Sequence, residues 1–429
     1  MPDGLKRLLR HLSIDVSPLR DSRDYRLLFS SGVVTMFGTL ITMVAVPYQM
    51  KELTGSYLAV GLVSLAEFVP MVVGGLWGGA IADALDRRKI IVLSELGLLV
   101  TSAVLMVNAL LPSPQVWVLY VIGGISTGIA SLQRPSLEAV FQQVVKHDQQ
   151  GAAAVLSSMR WNFGAIVAPA LGGLLVTAYG PAAAYGIDTL SFVLSLALLW
   201  RIRSLPPAEN AAPASLQSLV EGMRYAVRRS DLMGTYLVDI AAMVFAMATS
   251  LFPFLADELH APQSLGLLYS AAAVGALIAS LTGAWTARVQ RQGLGVIVAA
   301  TLWGAGVALS ALAPNVWVLV VCIAFAGAAD MISGIFRTTM WNQTIPQELR
   351  GRLAGIELLS YASGPMLGNA RASLMANIGG TRFSLGSGGL LCVAAVLGLA
   401  AALPKFRRYD ARTDEHALAE KARREAAAA

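Results

Sequence analysis

GGLWGGAIADALDRRK, residues 74–89, joins an apolar, glycine-rich helix end to a carboxylate, Asp83, and then to a compact charge cluster of Asp86, Arg87, Arg88 and Lys89. Gly74 and Gly78, and again Gly75 and Gly79, stand four apart, so this helix offers a face without side chains on which another helix can pack at close range. A tight helix contact is thus set beside a charged hinge, as expected where a helix leaves a membrane.

Apolar runs extend on both sides of this stretch. The chain has 429 residues, of which 56% are hydrophobic and 14% charged, where soluble domains carry roughly 25% charged residues. With a mean hydropathy of +0.63 it reads as a polytopic membrane protein. A bilayer core about 30 Å thick needs roughly 20 apolar residues per helix. That length predicts segments at 27–50, 56–81, 90–111, 115–138, 153–178 and 182–201, then at 232–255, 264–287, 294–313, 316–341, 352–376 and 383–403. The expected fold is all-α, with twelve transmembrane helices in two pseudo-symmetric six-helix bundles. Residues 1–26 form an N-terminal arm, 27–201 the first bundle, 202–231 a linker with Pro206, Pro207 and Pro213, 232–403 the second bundle, and 404–429 a tail.

Lysine and arginine alternate between loops, which sets orientation. The arm, the loops at Arg87, Lys146, Arg288 and Arg350, the linker and the tail are basic, while the intervening loops are nearly bare apart from Lys51 and Arg382. Basic short loops stay on the cytoplasmic side, so both termini are expected inside. The net charge of +6 is spread over these loops and forms no single patch, which argues against a nucleic-acid partner. LKRLLRHL, residues 5–12, places four leucines opposite Lys6, Arg7 and Arg10 and reads as a short helix lying on the cytoplasmic leaflet. Cys322 and Cys392 both fall in apolar runs, so neither a disulfide framework nor a metal site is indicated. His11, His147, His260 and His416 lie in arm, loops and tail, and no enzyme constellation can be assembled from them. No phosphate-binding GxxxxGK[ST] stretch occurs, and no cofactor is expected.

An internal repeat supports the two halves independently of hydropathy. Gly164, Pro169, Gly172 and Gly173 in the fifth segment match Gly364, Pro365 and Gly368 in the eleventh, so Pro-x-x-Gly recurs at one relative place. Arg134 near the end of the fourth segment is matched by Arg337 in the tenth. Such repeats are typical of transporters that rock about a central site. Proline removes a backbone donor and permits a bend, so these positions are expected to flex as well as to pack. Charged residues inside segments cost about 2.5 to 3.5 kcal/mol each at a helix centre, which makes Glu67, Asp239 and Asp330 informative; each is read either as a proton carrier or as a packed, hydrogen-bonded carboxylate.

The stretch at 74–89 also resembles the loop between the second and third helices of the major facilitator superfamily, with Gly79, Asp83, Arg87 and Arg88 at matching positions, Ala84 in place of an arginine and Asp86 in place of a glycine. The run YGIDTLSF around Asp188 and the stretch IPQELRGRLAGI, residues 345–356, resemble the enterobactin exporter and macrolide efflux branch. The resemblance implies that Asp83 latches the start of the eleventh segment in one state, and that Gly79, Asp86, Lys89, Arg350, Arg352 and Glu357 belong to the same gate, with Glu138 as acidic partner to Arg87 or Arg88. Gly164 to Gly173 resembles the fifth-helix motif of proton-linked exporters. Segments one, four, seven and ten line the cavity in that fold, which favours Asp239 and Asp330 over Glu67 for proton coupling and gives Asp188, on the sixth, a structural role. Arg134, Arg337, Phe37, Phe245 and Tyr361 are candidate cavity residues, and Arg371 either attracts an anionic substrate or snorkels.

The resemblance implies a secondary active exporter, a monomer in the inner membrane, that moves an amphiphilic drug or siderophore outward in exchange for protons. Two readings stand beside it: a translocator of lysophospholipid or another lipid, and a membrane protein that binds a partner through its tail and transports nothing.

Overall fold

A computed structural model describes residues 15–203 and 224–428; the side chains at 79–84, 347, 348, 350–352, 354–362, 427 and 428 fall outside that description. The leucine-rich stretch at 5–12 and the linker prolines lie outside the described residues. Among the described residues, eleven helices are long and apolar enough to cross a membrane. The last of these, Ser363–Ala402, lies in an element, Gln347–Ala402, that is two helices, because Gly380 at φ 84° interrupts it. Only glycine takes that left-handed turn without strain.

The first half comprises α1 (Arg23–Thr54), α2 (Tyr57–Ala84), α3 (Arg87–Leu110), α4 (Val116–Gln143), α5 (Gln150–Tyr179) and α6 (Pro181–Leu199). The second comprises α7 (Ser230–Ala246), α8 (Leu265–Thr282), α9 (Gln292–Ser310), α10 (Val316–Thr344), α11 (347–379) and α12 (381–402). Within each half the second helix packs on the fourth and the third on the sixth, while α2 meets α11 and α5 meets α8 across the halves. This is the twelve-helix, two-bundle architecture expected above.

The seventh segment departs from the expected continuous helix. α7 stops at Ala246, Met247 is extended, and a short helix resumes at Phe252–Glu258 with Pro253 in its first turn. Proline is tolerated there because the first-turn N–H has no intrahelical partner anyway, whereas inside a continuous helix it would break the ladder. Irregular backbone at membrane depth survives only where protein satisfies it. Here Asn369 of α11 does so: its Oδ1 accepts from Thr249 Oγ1 and from Ser250 N, both at 3.0 Å.

Glycine sets the closest crossings. A Cβ on Gly78 would stand 2.8 Å from the carbonyl oxygen of Leu132, and Gly74 faces the backbone of Gly128, so this glycine face packs on α4 within the first bundle. Gly75 meets open space, and the side of Gly79 lies outside the described residues, so only one of the two four-spaced pairs carries a described close contact. Gly275 of α8 and Gly327 of α10 repeat the device in the second half, each against the other helix's backbone.

Arg23, Arg87–Lys89, Lys146, Arg288, Arg291 and Lys405 all lie on one face of the helix array, the basic face. The opposite, bare face holds Lys51, which pairs with Asp257 and with Glu52 at 2.8 Å, and Arg382, which donates to the carbonyls of Ala311 and Ala313 at 3.0 and 2.9 Å. Both exceptions to the charge pattern are thus engaged: one bridges the halves and the other caps the end of α9.

The tail folds back on the second half. Burial holds the Tyr409 phenol above its ordinary pKa, and its Oη donates to Gln343 at 3.2 Å. A helix at Glu415–Ala428 follows, with Ala417 and Glu420 buried and Arg424 donating to the carbonyl of Asn342 at 2.7 Å. The tail is therefore packed, and it splints α10. Deleting residues 411–429 is expected to lower stability by about 1–2 kcal/mol, the net worth of one or two hydrogen bonds with their packing, without loss of the twelve-helix fold. Thermal unfolding of the detergent-purified chain, followed by helix content, checks this.

Candidate substrate cavity and buried charge clusters

A cavity of about 400 Å³ lies at the centre of the array, mostly within the first bundle. α1 contributes Thr39 and Thr42, α2 Ser64 and Glu67, α3 Thr101 and Ser102, α4 Ser126 and Thr127, and α6 Asp188; Tyr269 and Asn369 reach it from the second half. Apolar residues such as Met43, Leu98, Phe192, Met247 and Met366 cover the remaining wall. Apolar walls with a few convergent polar groups are the usual chemistry of a small-molecule pocket. Two carboxylates face this one, and no Lys, Arg or His is among its described lining residues.

The cavity is sealed toward the bare face. Lys51 reaches Asp257, Tyr57 packs on Phe254 with ring centroids 4.3 Å apart, and Ser270 Oγ donates to the carbonyl of Ile166 at 2.6 Å. Gly173 of α5 stands against the backbone of Gly266 on α8, and a Cβ on Gly61 would crowd the Ser373 side chain. Among the described residues these are the polar and ring contacts that join the halves, and they lie from mid-membrane to the bare face.

Of the proline–glycine motifs of α5 and α11, Gly173 sits in the seam between the halves, and the other glycines pack within their own half. Gly172 packs on Ile41 of α1, with 3.1 Å from its would-be Cβ to the Ile41 Cα, and Gly164 on Met36. Gly364 and Gly368 pack on Met243 of α7, and Pro365 lines the cavity. α5 runs unbroken from Gln150 to Tyr179 through Pro169.

The candidate residues named from the sequence separate into distinct places. Glu67 is in the cavity, with its Oε1 3.1 Å from where a Cβ on Gly123 would be. Asp239 and Asp330 are not among the described cavity residues: Arg337, 3% exposed, contacts Asp239 directly and stands 3.9 Å from Asp330. The three make a charge cluster inside the second bundle. Asp188, given a structural role by the resemblance, lines the cavity wall. Arg134 is largely exposed and pairs with Glu138 one turn on, at 3.1 Å, so Glu138 is not the partner of Arg87 or Arg88. Arg88 donates to the carbonyl of Trp200 at 2.7 Å, and Asp86 caps α3 by accepting from Arg88 N at 2.9 Å. Arg87 is buried and Lys89 exposed. Arg371 is no cavity residue either: it donates to the carbonyls of Val244 and Ser384 at 3.3 and 3.2 Å, tying α7, α11 and α12. Phe37 packs on Phe163, and Phe245 on the common core. The side chains of Gly79, Asp83, Arg350, Arg352, Glu357 and Tyr361 lie outside the described residues.

Sequence reasoning missed the hydroxyls. Thr39 and Thr42, Thr101 and Ser102, and Ser126 and Thr127 are legible in the sequence only as small polar residues within apolar runs. Their signal is the recurrence of such a pair at mid-membrane depth in three helices.

A family model described as "Transmembrane secretion effector" matches residues 13–426. The chain is 29% identical over 404 residues to the enterobactin exporter EntS of Shigella flexneri, covering 92% of this chain and 95% of that protein. The corresponding exporter of Escherichia coli O157:H7 is 28% identical with the same coverage. Among solved structures, a bacterial homologue of the iron transporter ferroportin in an inward-facing state superposes with a TM-score of 0.68 at 18% identity, over 90% of this chain and 98% of that one. A peptide transporter of the POT family gives 0.72 at 15% identity, over 91% and 96%. These two likenesses are of fold.

Proposed function

We propose, from the premise that the chain belongs to the transmembrane secretion effector family, that it exports a neutral or cationic amphiphilic small molecule in exchange for protons. As a major facilitator transporter it is a small-molecule exporter and not an enzyme. The observation that supports the finer reading is the cavity: Glu67, Asp188 and paired hydroxyls face it, with no basic residue among its described lining. An anionic substrate would hold the carboxyls beside it in their protonated form, because like charges repel in a low-dielectric wall, and so would drive off no proton. A cation, or a neutral molecule rich in hydrogen-bond donors, meets acceptors instead.

The basic face is the cytoplasmic one in this reading, because basic short loops stay inside. The seal at the bare face fits a state that loads substrate from the cytoplasm. Loading a cation beside a carboxylate drives off its proton, since both compete for the same oxygens, and that competition is an exchange mechanism. The chain acts as a monomer with both termini cytoplasmic, and Asp83 latches α2 to the start of α11 in the opposite state.

The test is accumulation of labelled cationic dyes, macrolides and enterobactin in pump-deficient bacteria producing the chain, with and without a protonophore. Lower accumulation of dyes or macrolides that the protonophore restores is the expected result. Lowered accumulation of enterobactin alone would overturn the charge argument, and flip of a labelled lysophospholipid without any effect on the panel would favour the lipid translocator.

A further inference from the structure

Beside the cavity, a line of buried polar groups runs along the faces that α1, α3 and α6 turn toward one another. Asp188 Oδ2 accepts from Thr42 Oγ1 at 2.8 Å and Ser102 Oγ at 2.9 Å. Its Oδ1 lies against the bare Cα of Gly38 and has no hydrogen-bond partner. Glu95 repeats this pattern nearer the basic face: Oε1 accepts from Gln133 Nε2 at 3.1 Å, while Oε2 has no partner. Asp188 is 3% and Glu95 4% exposed.

The two carboxylates are in register. α3 and α6 run antiparallel, and the step from Ser102 to Glu95 equals that from Asp188 to Ser195, seven residues or about 10 Å at 1.5 Å per residue. A serine of one helix therefore stands opposite a carboxylate of the other at both levels. Ser195 lies against Glu95 and shares a 2.7 Å hydrogen bond with Ser31 of α1, and Ser191 occupies the turn between.

The other titratable groups around this line are accounted for. Tyr185 on α6 donates to Gln49 at 2.8 Å, Glu67 faces from α2 across the cavity, Arg160 on α5 sits over the rings of Phe29 and Phe141, and Arg87 lies two turns beyond Glu95 on α3. Among the described residues no Lys or Arg forms an ion pair with Asp188 or Glu95. An ionised carboxylate left in such a site carries a desolvation penalty of several kcal/mol. The protonated acid does not.

We propose that Asp188 and Glu95 are the two proton-binding stations of the exchange cycle: Asp188 loses its proton as substrate loads in the cavity, and Glu95 takes that proton on and releases it toward the basic face by a route that bypasses the cavity. A substrate filling the cavity would block any water path through it, so the displaced proton needs a separate exit. Ser195, which lies against Glu95, is the hydroxyl placed to accept a proton and pass on its own. This rests on the exchange reading above and goes beyond it in assigning the groups.

The test is infrared difference spectroscopy of the full chain in lipid, between acidic and alkaline buffer, which needs no substrate. Two protonated-carboxyl bands are expected to titrate, with Asp188→Asn and Glu95→Gln each removing one and shifting the other. Survival of both bands in both variants would overturn the proposal. Should Asp188→Asn fail to fold, Thr42→Val keeps the carboxylate and removes one donor, and must shift the Asp188 band. Both acid variants are also expected to lose the protonophore-sensitive part of efflux. Loss of the bands with unchanged protonophore sensitivity would sink the assignment to exchange, whereas a chain inert across the transport panel but with intact titrating bands would sink the exporter reading instead.

Discussion

A Gly173→Leu variant is expected to insert and fold but to lose transport by roughly five- to 150-fold. The would-be Cβ of Gly173 falls on the backbone of Gly266, and that of Gly266 lies 2.8 Å from the carbonyl of Pro169. Backbone cannot turn aside as a flexible side chain does, so α5 and α8 must separate at the bare face. Overpacking of this kind costs about 1–3 kcal/mol, which in a two-state cycle falls entirely on the state sealed there. The opposite state parts α5 from α8 and is spared. The population therefore moves toward opening at the bare face. A cysteine introduced by Tyr269→Cys, in a chain with Cys322 and Cys392 replaced by alanine, should become reachable by an impermeant thiol reagent from that side. Gly75→Ala is the control, because Gly75 meets open space. Full transport by the Gly173 variant, without new labelling, would show that the seam is not the gate.

The second large effect concerns the second bundle. Arg337→Ala removes the cation that contacts Asp239 directly and stands 3.9 Å from Asp330. Removing one partner of a buried pair is strongly destabilising, by about 3–5 kcal/mol, because it leaves an uncompensated charge where water cannot reach it. Asp239→Asn is expected to cost a similar amount, since the Arg337 and Asp239 side chains are only 3% and 4% exposed. Asp330, which stands 3.9 Å from Arg337 without direct contact, should tolerate Asn with a smaller loss than Asp239. The double change Arg337→Met with Asp239→Leu should recover most of the loss. Thermal unfolding in detergent reads all four. Recovery of protonophore-sensitive efflux in the double variant would mark the pair as a structural brace, and failure to recover it in a stable protein would return Asp239 to the coupling role that the sequence suggests.

These effects divide the molecule in a way that single-residue reasoning does not. Glu67, Asp188, Asp239 and Asp330 look alike in sequence, each an acid in an apolar run. Three-dimensional packing gives Asp239 an arginine, Asp188 two hydroxyls and a bare glycine, and Glu67 a place in the cavity. Arg337 and Arg134 are repeat partners and equal candidates for the cavity by sequence, yet one is buried in an ion pair and the other is exposed beside Glu138. The repeat preserves position and not environment.

What the sequence by itself determined is the membrane class, the twelve helices, their division into two halves and the alternation of basic and bare loops. These follow from hydrophobic length and charge along the chain, which are local quantities that the bilayer reads directly. The glycine and proline motifs were legible for the same reason, as spacing along one helix. Only the tertiary structure decided which helices meet, and therefore which face of each motif is used: Gly74 and Gly78 pack on α4, while Gly75 does not. It also decided where α7 breaks, which carboxylates lack a cation, and that the cavity lies mainly in the first bundle. Each of these depends on what a neighbouring helix presents at the same depth, and the partner at that depth can stand more than a hundred residues away, as Asp188 does from Thr42.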